Sequence, residues 1–201
     1  MKSTGARFGG GGTPVQVDET FIGGKSRNMH KSKRDALKRT GDLTPGGGGK
    51  TVVIGALERG GKVRTAVASD RKKKTMAPFI RENVEKGANL HTDEHQTCWW
   101  SGDEYMHEML NHLERYVDGN VHTNGIENFW SLLKRGIGGT YISVEPFHLF
   151  RYVDEQAFRY NNRGPMTEAD RFRYVMRKIV GKRLSYAELT GKEGETSAEA
   201  F

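Results

Sequence analysis

Three runs in the first third of the chain constrain the fold most, because apolar and polar side chains alternate along them. Residues 15–22 read VQVDETFI, residues 51–58 read TVVIGALE and residues 62–68 read KVRTAVA. A period of two with enriched Val, Ile, Thr and Phe is typical of β-strands. The second and third runs are joined around Gly60-Gly61, which is a hairpin signal. We therefore expect three antiparallel strands in a row.

Helical periodicity marks the second half of the chain most clearly over residues 124–135. Apolar side chains recur there at i, i+3, i+4, i+7 and i+11, on one stripe that indicates a core helix. The stripe consists of Ile126, Phe129, Trp130, Leu133 and Ile137. We interpret its aromatic side chains as core residues rather than base-stacking groups. Further helices are expected over residues 75–86, 146–161 and 167–180.

The remaining elements complete a mixed α/β pattern. A fourth strand is expected over residues 88–92 and a fifth over residues 113–117, whereas residues 95–112 indicate only helical pieces. This order predicts a mixed five-stranded sheet flanked by helices, as in a ribonuclease H-like domain, with extra C-terminal helices.

The chain is expected to divide into three parts. Residues 1–14 are Gly-rich and polar without a hydrophobic period, which predicts a disordered lead-in. Residues 15–163 are expected to form the folded domain, and residues 164–201 a C-terminal helix and tail.

Composition argues against several classes of protein. No window approaches the roughly 18 consecutive apolar residues of a membrane span, and the start MKSTGARFGGGG lacks the apolar stretch of a signal peptide, so we expect a cytoplasmic location. The single cysteine, Cys98, excludes an internal disulfide and a zinc-ligand pair. A net charge of +7 points to a polyanionic partner such as nucleic acid.

Most of the net charge lies in one segment. Residues 23–50 contain eight Lys or Arg and two Asp, so they carry +6 of the net +7. This cluster favours a loop that is mobile without DNA and contacts phosphates with it, although a flexible basic loop without a specific role is the alternative. The predicted phosphate contacts are Lys31, Lys33, Arg34, Lys38 and Arg39.

Three carboxylates stand out by position: Asp18 inside the first strand, Asp93 at the end of the fourth, and Glu127 on the polar face of the core helix. An acid within the apolar alternation of a central strand is costly unless something compensates its charge. Converging acids repel each other until a cation lies between them. A few hard oxygen ligands describe a Mg²⁺ site, for which Mn²⁺ is the expected substitute. Two such ions about 3.5–4 Å apart can activate an attacking hydroxyl and stabilise the leaving oxygen.

Four strings make the chain recognisable: VDETFIGGK from Val17, TDE from Thr92, HTNGIENFWSLLKRG from His122 and RYVDEQAFRYNNR from Arg151. Together they resemble the DDE transposases of the bacterial insertion-sequence group akin to eukaryotic Merlin elements. The resemblance covers roughly residues 14–163. Each string alone is weak, but four in this order at these separations are specific.

The resemblance implies roles for individual residues. Asp18, Asp93 and Glu127 become the catalytic triad and the metal ligands. Lys134 becomes the basic residue that such enzymes place two helical turns after the acid, and the seven-residue spacing puts both side chains on one helix face, where Lys134 can reach a DNA phosphate. The adjacent Arg135 is a further candidate DNA contact.

The resemblance also implies a reaction and partners. Water attacks the phosphodiester at the end of an insertion sequence, and the freed 3′-hydroxyl then attacks target DNA in line. The implied partners are the element ends and the target DNA, with a homodimer in a synaptic complex and a nucleoid-associated location. Relatives usually begin with a zinc ribbon or a helix-turn-helix region, and nothing before Val15 supplies one, so we expect a fragment or a truncated copy.

Alternatives exist for several residues of the candidate site. Asn124 and Glu127 also have the spacing of a helix N-cap and its N3 acid, so Glu127 is either a ligand or part of a capping box. Asn124 is a rival third ligand through its amide oxygen. Glu19 and Glu94 directly follow the first two acids, but adjacent strand residues point to opposite faces, so we rank them second.

Two other functions are compatible with the same residues. A ribonuclease H-like nuclease without strand transfer needs the same metals, and a degenerate remnant would bind DNA through the basic segment without cutting it. Retention of all three acids argues against the remnant. The sequence does not reveal the DNA ends that are recognised, the target preference or the oligomeric state.

Overall fold

The computed structural model describes residues 5–24, 28–40, 49–93, 105–110, 124–141 and 144–190. Its strands are β1 (Val15–Ile22), β2 (Thr51–Glu58), β3 (Val63–Ala68), β4 (Asn89–Asp93) and β5 (Met106–Leu110). Its α-helices are α1 (Lys31–Thr40), α2 (Lys73–Asn83), α3 (Asn124–Arg135), α4 (Leu149–Asn161), α5 (Glu168–Ile179) and α6 (Tyr186–Thr190). The chain divides into two compact units, one ending at Asn161 and the other beginning at Asn162.

The strands of the first unit form one mixed sheet in the order β3-β2-β1-β4-β5. The β1–β2 and β2–β3 pairs are antiparallel, which confirms the three-strand prediction, and the β1–β4 and β4–β5 pairs are parallel. Phe21, Val52 and Ala68 are consecutive register partners across β1, β2 and β3. The end of β1, the start of β2 and the end of β3 therefore lie at the same end of the sheet.

Each face of the sheet packs against different helices. Val15 and Val17 of β1 belong to the core that includes Met76 and Ile80 of α2. The opposite core joins the sheet to α3 and α4, and its buried residues include Val53, Leu57, Ile126, Phe129 and Val153. Because successive side chains of a strand point to opposite faces, the even-numbered residues of β1 lie on the α3 side.

The fifth strand lies elsewhere than predicted. Residues 106–110 form β5, where the sequence pattern indicates only helical pieces, and the predicted strand over residues 113–117 lies outside the described residues. Five consecutive residues of β5 pair with β4, from Met106 opposite Asn89 to Leu110 opposite Asp93. This long-range pairing determines the local structure, which weak periodicity does not reveal.

The described part of the N-terminal segment is folded, contrary to the prediction of a disordered lead-in over residues 1–14. Phe8 is only 5% exposed and packs in the α2-side core. Its N–H donates to the Asn83 carbonyl at 2.8 Å, and its carbonyl accepts from Glu85 N–H at 2.8 Å. The Arg64 guanidinium lies 4.5 Å from the centre of the Phe8 ring. One aromatic side chain thus anchors a segment whose composition is otherwise typical of disorder.

The basic segment also differs from its prediction as a loop. Residues 31–40 form helix α1, which contains Lys, Arg, Ala and Leu but neither Gly nor Pro, a composition that favours helix. Residues 25–27 and 41–48 of the segment lie outside the described residues.

The other predicted helices are confirmed with shifted ends. α2 ends at Asn83 rather than at residue 86, because Val84 is extended and bridges to Phe8. The helix predicted over residues 146–161 begins as a 3₁₀ turn, Pro146–His148, and continues as α4. The side chain of Asn161 then pairs with the sheet-edge residue Val63, accepting from its N–H at 2.7 Å and donating to its carbonyl at 2.9 Å.

The second unit contains α5, which begins with a capping box. The Thr167 side chain accepts from the backbone of Asp170, and the Asp170 side chain accepts from the backbone of Thr167. No helix in the described parts of the chain is long and apolar enough to cross a membrane.

The close packing of α3 on β2 gives a test of the fold. A methyl group at Gly55 would lie 2.8 Å from the Trp130 ring and 3.1 Å from Ile126 Cδ1. We expect Gly55→Ala to lower the free energy of unfolding by about 1–3 kcal/mol, as overpacking usually does. Gly24→Ala is the matched control, because a methyl group there has nothing within 4 Å. Urea unfolding would measure both variants, and equal stabilities would contradict the described packing.

Candidate active site

Asp18 lies on the α3 side of β1, and its carboxylate is fixed by two hydrogen bonds. Oδ1 accepts from the Glu19 N–H at 2.8 Å, and Oδ2 accepts from Trp130 Nε1 at 2.9 Å. The two accepted bonds involve both carboxylate oxygens, so they orient the group. The Asp18 side chain is therefore held in one orientation by its own strand and by α3.

Two further contacts hold α3 on the sheet, one with β1 and one with β2. The buried Gln16 side chain accepts from the Ile126 N–H at 3.0 Å, in the first turn of the helix. Gly125 permits this approach, because a methyl group there would lie 2.6 Å from Gln16 Oε1. Gly55 of β2 leaves the space that the Trp130 ring fills. Gly125 of α3 and Gly55 of β2 thus allow the Trp130 indole to reach Asp18.

An open cleft of about 540 Å³ lies between β1 and α3. Its lining residues are Asp18, Glu19 and Thr20 of β1 and Glu127, Trp130, Ser131, Lys134 and Arg135 of α3. Glu127, Ser131 and Lys134 follow one another at intervals of four and three residues, so they lie on one helix face. The cleft therefore combines carboxylates with two cations at the end of α3.

The pKa of the Asp18 carboxyl is raised from its ordinary 3.8 to about 7, and burial is the largest cause. The negative charges of Glu19 and, more weakly, Glu127 contribute to the rise in the pKa, while the hydrogen bonds from the Glu19 N–H and from Trp130 oppose it. Each of the raising causes disfavours the charged form, and a nearby cation would have the opposite effect. The environment of Asp18 is thus costly for a carboxylate without a positive partner.

Asp93 ends β4, the parallel neighbour of β1. Gln16 pairs with His91, and Asp18 and Asp93 each follow two residues later on their strands. Neighbouring strands lie about 4.8 Å apart. The backbone thus brings the two acids to adjacent strands, while the Asp93 side chain lies outside the described atoms. The prediction that the two carboxylates share a cation stays a prediction.

The choice between Glu127 and Asn124 as third ligand also stays open, but the structure places them differently. Glu127 lines the cleft, whereas Asn124 does not. α3 begins at Asn124 itself, and the Ile126 N–H in its first turn is accepted by Gln16. In the capping-box interpretation, Asn124 would be the N-cap residue that precedes the helix, whereas in the structure it is the first residue of α3. The placement therefore favours Glu127 as the residue that faces Asp18.

The predicted DNA contacts fall into two groups. Lys134 and Arg135 line the cleft. The other candidates belong to α1, where Lys31, Lys38 and Arg39 are exposed, Arg34 is partly buried, and the Lys33 side chain is outside the described atoms. No α1 residue lines the cleft as described. Glu94 also falls outside the described residues.

Sequence reasoning missed three residues that build the site. Trp130 is core, as predicted, at 4% exposure, but its indole N–H also binds Asp18. A buried indole N–H usually finds an acceptor, so its need for a partner was a usable signal. Gln16 had a signal too, as a second polar residue two positions from Asp18 in an apolar strand. Gly55 had none, because its contact with Trp130 depends on the tertiary fold.

Within the described residues, no group of three His, Cys, Asp or Glu side chains could hold a metal ion. The predicted set includes Asp93, whose side chain is outside those atoms, so the three-ligand prediction is untested. The chemistry of the described part suits a hard divalent cation, because Asp18 and Glu127 offer oxygen ligands and a cation would offset the burial and the neighbouring acids that raise the pKa of Asp18.

The pKa of Asp18 predicts a pH-dependent stability. A folded pKa of about 7, above the ordinary 3.8, means that the folded state binds this proton more tightly than the unfolded state. Its stabilising contribution is complete below about pH 4 and is lost as the pH rises to about 7. We expect the stability of Asp18→Asn relative to wild type to rise by up to about 4 kcal/mol over that range. Urea unfolding without divalent metal measures this, and a pH-independent difference would contradict it.

Comparison with known families identifies the domain. The model of the ISXO2-like transposase domain matches residues 10–161, which are 152 of the 201 residues. Comparison with curated proteins gives no match. The matched span includes all five strands, α3 and the cleft. The chain therefore belongs to the ISXO2-like transposase domain family and is an insertion-sequence transposase of the DDE type.

Proposed function

We propose that this domain cuts DNA at the ends of an insertion sequence and joins the freed strands to target DNA, using Mg²⁺ held by Asp18, Asp93 and Glu127. The observation that carries the proposal is the oriented, partly buried Asp18 carboxylate, which faces a cleft that also contains Glu127, Lys134 and Arg135. The family makes DNA the partner and a divalent metal the general cofactor. We assign the mixed sheet and its helices to the ribonuclease H-like class.

The electrostatics of the cleft fit a divalent cation. A cation at this position would stabilise the Asp18 carboxylate, which burial and the neighbouring acids now disfavour. When bound, Mg²⁺ or its substitute Mn²⁺ would supply activation of a water or hydroxyl nucleophile and stabilisation of the leaving oxygen. Asn124 remains the alternative third ligand.

The residues of the chain contribute orientation and charge. The Trp130 N–H fixes one Asp18 oxygen, and the Glu19 N–H fixes the other, so the carboxylate does not reorganise when the substrate binds. Lys134 offers three N–H donors and no acceptor, so it suits a phosphate oxygen rather than a metal. Arg135 can bind a phosphate through two parallel hydrogen bonds. The basic end of α3 thus positions the DNA backbone next to the acids.

The same groups can perform both hydrolysis and strand transfer, because each reaction is an in-line attack of an oxygen nucleophile on a phosphodiester. In the first step the nucleophile is water and the leaving group is a 3′-hydroxyl. In the second step that hydroxyl attacks a phosphodiester of the target DNA, and a 3′-hydroxyl of the target strand leaves. A nuclease that performs only the first step is the second candidate. The assay products separate them, since joined strands require transfer and nicks alone do not.

Other parts of the proposal rest on the family and on charge. The proposed DNA partners are the insertion-sequence ends and the target, bound by a homodimer in a synaptic complex. The proposed location is the cytoplasm in association with the nucleoid. The cations of α1 are proposed to contact phosphates from their helix rather than from a loop.

The acids and the cap can be tested separately. We expect Asp18→Asn, Asp93→Asn and Glu127→Gln each to lower Mg²⁺-dependent cleavage of an end-containing duplex by about a thousandfold, because ligands to catalytic metals support several kcal/mol of barrier lowering. Ser131→Ala is the control, because it also lines the cleft but removes no charge. Its cleavage rate should stay within about tenfold of wild type.

The Asn124→Ala variant decides the third ligand. If Glu127 is the ligand, Asn124→Ala lowers cleavage only modestly, because it removes no metal ligand. Thermal melting gives the second readout for each variant. A well-folded Glu127→Gln protein with full activity, beside an inactive Asn124→Ala protein, would transfer the role to Asn124.

A further inference from the structure

A basic run outside the predicted DNA contacts begins in the turn after β3 and continues into the first residues of α2. Residues 71–74 read Arg-Lys-Lys-Lys, and all four side chains are exposed. Within the described residues none of them forms an ion pair as close as 4 Å, although Asp70 interacts electrostatically with Lys72 and Lys74. Arg159 of α4 and Arg173 of α5 differ, since Arg159 pairs with Glu155 at 2.8 Å and Arg173 pairs with Asp170 at 3.4 Å. The run thus presents four adjacent positive charges to solvent.

Asp70, which precedes the run, stabilises the turn. Hydrogen bonds from the Thr75 side chain and the Lys72 N–H lower the pKa of Asp70, and the Lys72 bond is 2.9 Å long. Its carboxylate is thus engaged by the turn and the start of α2. The Lys72 carbonyl in turn accepts from the Met76 N–H at 3.0 Å, and Met76 is completely buried. The four cations therefore stand on a fixed support, which lowers the entropy cost of binding an anion.

β3 leads into this run at the end of the sheet where β1, the strand that carries Asp18, also ends. Ala68, three residues before the run, is aligned through Val52 with Phe21, three residues after Asp18. β3 lies two strands from β1, so the two strands are about 10 Å apart. A duplex that crosses this end of the sheet rises about 3.4 Å per base pair, so it covers the lateral separation of β1 and β3 in about three base pairs. Because α2 covers the face opposite α3, the run lies outside the cleft.

We propose that residues 71–74 bind the phosphate backbone of the duplex whose reacting phosphate lies in the cleft. The inference rests on the proposed function for its choice of DNA as the ligand. Lys and Arg side chains that contact only phosphates contribute affinity but no sequence discrimination. The run therefore adds sequence-independent binding to the duplex that flanks the reacting phosphate and takes no part in the chemistry.

The salt dependence of binding tests the proposal. The full chain and a R71Q/K72Q/K73Q/K74Q variant are titrated with a duplex of random sequence at several NaCl concentrations, without divalent metal. The matched control is R177Q/K178Q/K182Q/R183Q, which removes four exposed cations of the second unit and lowers the net charge equally, from +7 to +3. Circular dichroism checks that all three proteins are folded.

We expect the first variant to bind on the order of tenfold more weakly at low salt, and its slope of log affinity against log salt to shrink by up to about 3.6, from four contacts at about 0.9 each. The control slope should change by less than about one contact. An unchanged slope in the first variant, an equal change in the control, or a wild-type chain that binds no duplex would overturn the proposal. The binding titration contains no divalent metal, so a failure of the separate cleavage assay would contradict the proposed function without changing this result.

Discussion

The hydrogen bond from the Trp130 indole to Asp18 is the interaction on which the site depends. It joins residues 112 positions apart in the chain, and it exists only because Gly55 leaves room for the ring and Gln16 binds the first turn of α3. With α3 fixed in this way, Glu127 and Lys134 face the same cleft as Asp18. The core packing and the chemistry therefore share one set of contacts.

This arrangement places the Asp18 carboxyl at a position where burial and neighbouring acids disfavour its charged form. Asp18 stands on the face of β1 that packs against α3, and burial is the largest cause of its raised pKa. A stability cost at a functional site is expected when the site is built for a ligand that the protein alone does not supply. In our account that ligand is a divalent cation, and the cleft is more favourable with it than without it.

The sequence predicts the parts of the fold that have strong local periodicity. β1, β2, β3 and α3 have the bounds that their alternation and apolar stripe indicate to within one residue. β5 and the folded segment around Phe8 were not predictable in this way, because each depends on a distant partner, β4 in one case and α2 in the other. Among the site residues, the helical spacing from Glu127 to Lys134 was predictable, whereas the Trp130 bond depends on tertiary packing, and the placement of the Asp93 carboxylate stays a prediction.

The most direct test of the account is a crystal structure of the full chain with Mn²⁺, located by its anomalous scattering. We expect manganese in the cleft between β1 and α3, bound by carboxylate oxygens of Asp18 and Asp93 at about 2.0–2.2 Å, with Glu127 of α3 as the third protein ligand. A Glu127→Gln crystal should show weaker density at the same position. Saturating Mn²⁺ that binds elsewhere, or Asp18 and Asp93 carboxylates more than about 8 Å apart, would contradict a shared metal site.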